Sequence, residues 1–495
     1  MEKIRHIVQW MQRLLAAFVA GRPQPGLGWL PWTWLAVLYL LGLFLWGQFL
    51  NWGRIPFDFH DWAEISAPRI AFVRDAVLTG QLPLHMPDTS ALRGVTDRFM
   101  VIPDVMLTPQ MFLLGVMEVG PFMLANVWLL YTLGVAGLVY FQRRYGLSPL
   151  AYGILFLLFN FNGHLLAHYS VGHANWGGYF LFPWLAALVL RLIEEPELRH
   201  GPRSWRWTAA VAFLLFFILL QGSFHHFIWG LMFLGLLAVF SWQYLPVVLR
   251  TLVLSGLLAA VRLLPPALGM GLFDDEFLSG YPTVWDIVQA MFTLRLPADA
   301  LSIRNMINPL GWWEYDLYLG ILGAGFFLFF GVYRTLRNHR QPYGYAELLL
   351  PAALMVFLSV GRIYRAVMLI PFPLLSAERV SARMLILPFV FFLLLGAMNF
   401  QRWLDARRLR PEFQLIGLAA WGLVLHDLWQ HLKLWRVNVA FEAFPLTPVN
   451  LATKTVSNHP DAPYTNLLAA GLALTLLTAC GLGYMLWRSR KRRAS

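Results

Sequence analysis

Apolar runs of roughly 15–23 residues recur from residue 30 to residue 487, and they constrain this fold more than any other feature. Inside lipid every backbone N–H and C=O must be satisfied internally, so only helices and closed barrels cross a membrane. A barrel strand needs only about 9–11 residues, so runs of this length are helical. Only 13% of the 495 residues are charged, whereas a soluble protein is nearer 25%. The expected fold class is all-α: a polytopic helical membrane protein of about twelve transmembrane helices. The lone Cys480 lies in the last apolar run, which excludes a disulfide framework and a Cys-based metal site. The formal charge of +12 is spread over short loops and a C-terminal cluster, so topology explains it and no nucleic-acid partner is expected.

Spans are expected at 30–50, 121–141, 149–163, 176–193, 207–221, 224–244, 247–266, 315–333, 346–361, 380–399, 413–432 and 466–487. If they alternate, Arg143 and Arg144, Arg199 to Arg206, Arg250, Arg334 to Arg340, Arg402 to Arg410 and the 488–495 tail share one side. That side also holds Lys3, Arg5, Arg13 and Arg22, so the positive-inside rule makes both termini cytoplasmic in a cell membrane. Residues 1–29 form a cytoplasmic amphipathic N-terminus, with Ile7, Trp10, Met11, Leu14 and Leu15 on one face. The 30–50 run is too long for a signal-peptide core and lacks a cleavage site after it, so it reads as a retained anchor. Residues 30–487 form the membrane domain, whose long outer loops are 51–104, 268–314 and 433–466. Segment 105–119 is apolar but carries Pro109 and Glu118, and a span there would invert the arginine pattern. It is expected to re-enter or to lie at the interface.

The first outer loop opens with Asp58-Phe-His60-Asp61-Trp-Ala-Glu64, more acidic than anchoring requires. A carboxylate just outside a span can serve as general base or help hold a divalent cation such as Mg or Mn. Asp58 and Asp61 are the catalytic and metal candidates, with His60 and Glu64 assisting. The bland alternative is that one aspartate caps a helix and the other is solvated. Pro68 and Thr79-Gly80 bracket an amphipathic helix expected to rest on the outer membrane surface, and Asp88, Asp97 and Asp104 follow.

Two further clusters face the same side. His164 and His168 share a helical face, His173 follows, and His225 and His226 open a later span. Without a nearby Cys or carboxylate in sequence, these histidines read as cavity-lining hydrogen-bond partners of a substrate rather than as zinc ligands. Arg362, Arg365, Arg379 and Arg383 surround one outer hairpin with Pro371 and Pro373, and Arg262 ends another span. The arginine fork suits phosphate oxygens. Snorkelling, or pairing with Glu378, is the structural alternative.

There is no Walker A loop, no GxGxxG before an α/β domain and no GxSxG. Energy must come from a gradient or an activated lipid-linked donor. The layout resembles the GT-C superfamily of membrane glycosyltransferases. The features that carry the resemblance are one N-terminal span, an acidic first outer loop with an amphipathic helix, and the Gly80-Gln-Leu-Pro-Leu turn before a Pro-led apolar segment. Tyr318-Leu-Gly320 and Arg379-Val-Ser-Ala-Arg383 look most like bacterial YfhO-type members. The likeness covers the layout of about the first 200 residues and the rest more loosely. It implies a polyprenyl-phosphate-linked sugar donor, a glycan, lipid or protein acceptor, a first-loop aspartate as base and arginines on the donor phosphate. No soluble C-terminal domain of that family is found. The competing classes are a transporter or lipid flippase, which would need internal repeats and interrupted helices, and a non-catalytic scaffold.

Overall fold

The computed structural model describes residues 2–21, 25–81, 106–265, 279–297, 310–341, 344–369, 378–407, 410–447 and 462–494. Among them the protein is all-α, with β structure limited to isolated bridges. Seven helices are long and apolar enough to cross a membrane: Leu30–Phe49, Val119–Tyr145, Pro149–Ser170, Ala174–Glu194, Gly201–Leu220, Ser381–Asp405 and Thr465–Trp487. The pair Phe224–Phe240 and Trp242–Leu258, taken together, makes an eighth candidate.

The remaining runs depart from simple spans for local reasons. Ser241 is extended (φ −143°, ψ 78°) and Pro246 restarts the helix beyond it, so the 224–244 and 247–266 runs form one pair bent by 119°. The 315–333 run begins only at Gly320 and passes through a π-helical stretch, Phe327–Tyr333. The 346–361 run gives the shorter apolar helix Ala346–Leu358. Pro411–Leu434 has 24 residues but carries Gln414, His426, Asp427, Gln430 and His431, and it falls short of an apolar span.

Burial sorts the helices into centre and rim. The apolar stretch of Pro149–Ser170 is 100% buried and that of Ser381–Asp405 89%, against 28% for Leu30–Phe49 and 17% for Thr465–Trp487. The rim helices turn Leu40 and Leu477 outward, as lipid-facing surfaces do. The N-terminal helix Glu2–Val19 leaves Ile7, Trp10 and Met11 exposed and sets Phe18 against Trp34, with ring centres 4.8 Å apart.

The segment after the first apolar helix differs from a helix resting on lipid. Ala67–Thr79 ends at Gly80 in the left-handed conformation, as its sequence forecasts. Yet Pro68, Arg69, Ile70, Phe72 and Val73 are buried, because Trp62 and Phe72 draw the helix into the core. Residues 109–115 form a seven-residue 3-10 helix, too short to span, packed against it. Asp88, Asp97, Asp104, Pro371 and Pro373 lie outside the described residues.

Candidate functional site

Asp61 is carried inward by a sharp turn. Phe59 bridges to Leu446, His60 takes a φ of 44°, and the π-helical turn Trp62–Ser66 follows. A left-handed histidine costs on the order of 1–3 kcal/mol. Its ring is held by Trp313 and Phe444, at 4.5 and 5.1 Å. Asp61 ends 5% exposed. Asp58 stays exposed, and its backbone carbonyl accepts from the Thr447 N–H at 2.8 Å.

His168 and His173 meet Asp61 from the opposite side. The Asn162 side chain caps Gly163–Ser170 by accepting from the Leu165 N–H at 3.0 Å. The chain reverses at Gly172 (φ 102°), and the His173 N–H donates to the His168 carbonyl at 3.0 Å. The two imidazoles then lie side by side. Their Nδ1 atoms are 2.6 Å apart, and His173 Nε2 is 2.7 Å from Asp61 Oδ2. Trp176 stacks on His168 at 4.1 Å and donates from its indole N–H to His164 Nε2 at 3.1 Å.

Gly172 is where the two segments touch. A Cβ there would lie 2.3 Å from the Trp62 backbone nitrogen, and the Ser66 hydroxyl donates to the Gly172 carbonyl. Gly172→Ala is therefore expected to cost at least about 1–3 kcal/mol from its left-handed backbone alone, before any clash with Trp62. A thermal-unfolding comparison in detergent checks this. An unchanged melting temperature would mean that the first loop does not dock here.

Glu314 and Arg383 continue the line. Trp312–Glu314 is a 3-10 turn clamped by Asp316, which accepts from Trp312 Nε1 (3.1 Å) and the Tyr318 N–H (2.8 Å) and sits 2.9 Å from His431 Nε2. The Gly163 N–H donates to the Tyr318 carbonyl at 2.9 Å, tying the turn to the histidine helix. A Cβ at Gly163 would fall onto Asp316. Glu314 Oε2 thereby comes within 4.0 Å of His168 Nε2. Arg383 donates to both Glu314 oxygens, from Nε at 2.6 Å and from Nη2.

These surroundings set charge. Burial pushes the Glu314 carboxyl up, but the adjacent Arg383 guanidinium outweighs it and holds the group below the usual carboxylate range. Burial lowers the His60 imidazole, against the pull of Asp61. The centre thus reads Asp61–His173–His168–Glu314–Arg383, a buried line of polar groups drawn from four separate stretches of chain. No family model, curated protein or solved structure matches this chain.

The residues singled out in sequence are only partly gathered here. His60, Asp61, His164, His168 and Arg383 belong to the centre. His225 flanks it, with Nδ1 3.3 Å from Glu378 Oε2, and His226 packs edge-on to Trp176 at 5.2 Å. Glu64, Arg362 and Arg365 are exposed. Arg262 is buried on the short helix Ala260–Leu263, which packs against the C-terminal helix Ala462–Ala494. Arg379 and Arg383 do not share a helix. Val380 between them is extended (φ −132°, ψ 90°), bridged to Ser279, and the 3-10 turn Ser381–Leu385 begins after it. Glu378 accepts from Trp229 Nε1 at 3.1 Å, and Arg383 takes Glu314 instead.

Glu314 escaped sequence reading, as did the Asp316–His431 clamp. The available signal was Trp312-Trp-Glu-Tyr-Asp316, a second acidic pair beside an apolar run, like Asp58 and Asp61. A small cavity lies beside the centre, lined by Ser66, Arg69, Asn175 and Gln221 on its polar side and by Ile70, Val73, Met111 and Leu114 on its apolar side. Neither Asp58 nor Asp61 lines it.

Proposed function

We propose that the chain is a membrane glycosyltransferase that moves a sugar from a polyprenyl-phosphate-linked donor to an acceptor hydroxyl at the outer face, with Asp61 as general base. One observation carries the reading: the acidic loop after the first span delivers a buried carboxylate to a histidine, His173, within a centre that also holds the guanidinium of Arg383. Attack on an anomeric carbon needs the acceptor proton removed as the bond forms, which a positioned carboxylate can do. The departing phosphate gains negative charge, which fixed N–H donors stabilise. Glu314 uses Arg383 Nε and Nη2, and a phosphate oxygen would take Nη1. GT-C-like architecture with twelve crossings, both termini cytoplasmic, and a plasma or inner membrane setting belong to this proposal. Cysteine labelling from outside should reach Thr283→Cys and spare Arg340→Cys; the opposite pattern would invert the topology.

A transporter or flippase is the second reading, favoured by the helix pair bent by 119°, since transport sites are built from interrupted helices. Sealed proteoliposomes containing a labelled short-chain polyprenyl-phosphate hexose separate the two. Transferase action releases polyprenyl phosphate when acceptor glycan or lipid is present. Movement of intact donor between leaflets, with none cleaved, would replace the transferase reading with the transport one.

A further inference from the structure

We propose that His168, His173 and Glu314 bind one divalent transition-metal ion of the zinc class, with Asp61 orienting His173 from behind. One ligand atom from each of the three residues lies within 4.8 Å of the other two, and all three residues are buried. Two imidazoles and one carboxylate make a His₂Glu set, which suits zinc and leaves a fourth position for water or a substrate oxygen. Magnesium and calcium take oxygen ligands instead and fit this set poorly.

The contacts turn donor atoms toward one region. Asp61 Oδ2 lies 2.7 Å from His173 Nε2, so with the carboxylate accepting there, Nδ1 is the nitrogen that His173 can offer a metal. This is the carboxylate–histidine arrangement that stands behind metal-bound imidazoles and raises their basicity. His168 Nδ1 lies 2.6 Å from His173 Nδ1, a contact that a metal on His173 would displace. His168 Nε2 is buried with no hydrogen-bond partner among the described residues, and it faces Glu314 Oε2 at 4.0 Å. An ion in this gap would give His168 Nε2 a partner and share Glu314 Oε2 with Arg383 Nε, which bonds that oxygen at 2.6 Å.

The fit requires small movements. Ligand atoms on one tetrahedral ion, at bond lengths of about 2.0–2.2 Å, sit roughly 3.3–3.5 Å apart. With His168 binding through Nε2, the gap to Glu314 must close by about half an ångström, and the His168–His173 Nδ1 contact must open to admit the ion to His173. Glu314 can keep Arg383 on Oε1 while Oε2 turns to the ion.

The test uses the purified full chain in detergent, carrying no polyhistidine tag, stripped by a chelator and dialysed against Zn²⁺ or Co²⁺. One ion per chain is expected by elemental analysis, with the strong visible absorption of four-coordinate Co²⁺. His168→Gln and His173→Gln are each expected to weaken binding at least ~100-fold, more than loss of an outer-shell partner does. Asp61→Asn, which preserves shape, should weaken it about 10–100-fold. His200→Gln, at an exposed histidine, should leave it unchanged. Wild-type chain that retains no ion, or His173→Gln and Asp61→Asn variants that retain wild-type affinity while eluting as folded protein, would overturn the proposal. Binding is read without donor or acceptor, so it stands or falls separately from sugar transfer.

Discussion

Asp61→Asn is expected to slow the proposed sugar transfer by about 10²–10⁴-fold, the usual loss when a positioned proton acceptor is removed. Asp58→Asn should change turnover by no more than about twofold, as an exposed substitution away from any special contact does. The contrast follows from geometry. Asp61 is 5% exposed and 2.7 Å from His173, whereas Asp58 is exposed and contributes its backbone carbonyl to Thr447. Asparagine keeps the volume and a hydrogen bond to His173 but cannot accept a proton. Turnover of both variants, beside a size-exclusion profile that shows each to be folded, makes the comparison. Equal losses in the two, or none in either, would remove Asp61 as the base.

Arg383→Ala is expected to destabilise the fold by about 3–5 kcal/mol, because removing one partner leaves an uncompensated buried charge. Glu314 is 4% exposed and receives two hydrogen bonds from Arg383, whose own side chain is only 15% exposed. Arg383→Lys keeps the charge and loses the fork, so its loss should be smaller. Arg383→Met combined with Glu314→Gln should recover most of the stability, since an absent pair costs less than a broken one. Denaturation of Arg383→Met, of Glu314→Gln and of the double variant closes this cycle. Additive losses would show that the two side chains do not depend on one another.

Sequence reading found what local chemistry displays. Asp61 stood out because charge beside a membrane span needs a reason, and His164 and His168 stood out by helical spacing. Arg383 was legible as a residue but not in its role. Spacing of four suggests a helical face shared with Arg379, whereas the extended Val380, bridged to Ser279, separates Arg379 from the 3-10 turn that carries Arg383. Glu314 was hidden because its meaning is tertiary. It matters only once Asp316 has clamped its turn to His431 and the Gly163 N–H has bonded to the Tyr318 carbonyl. The spans show the same division. Apolar length located Pro149–Ser170 and Ser381–Asp405, but nothing apolar marks the bend at Ser241 or the late start at Gly320.

The proposed transfer requires the donor headgroup to meet the line from Asp61 to Arg383. The most direct measurement is an experimental structure of the full chain in lipid with a non-cleavable polyprenyl-phosphate-sugar analogue. The account predicts the sugar beside Asp61 and a phosphate oxygen within about 3 Å of an Arg383 nitrogen, the reach of a charge-assisted hydrogen bond. A headgroup bound elsewhere, with Asp61 still closed on His173 and touching no part of it, would contradict the account.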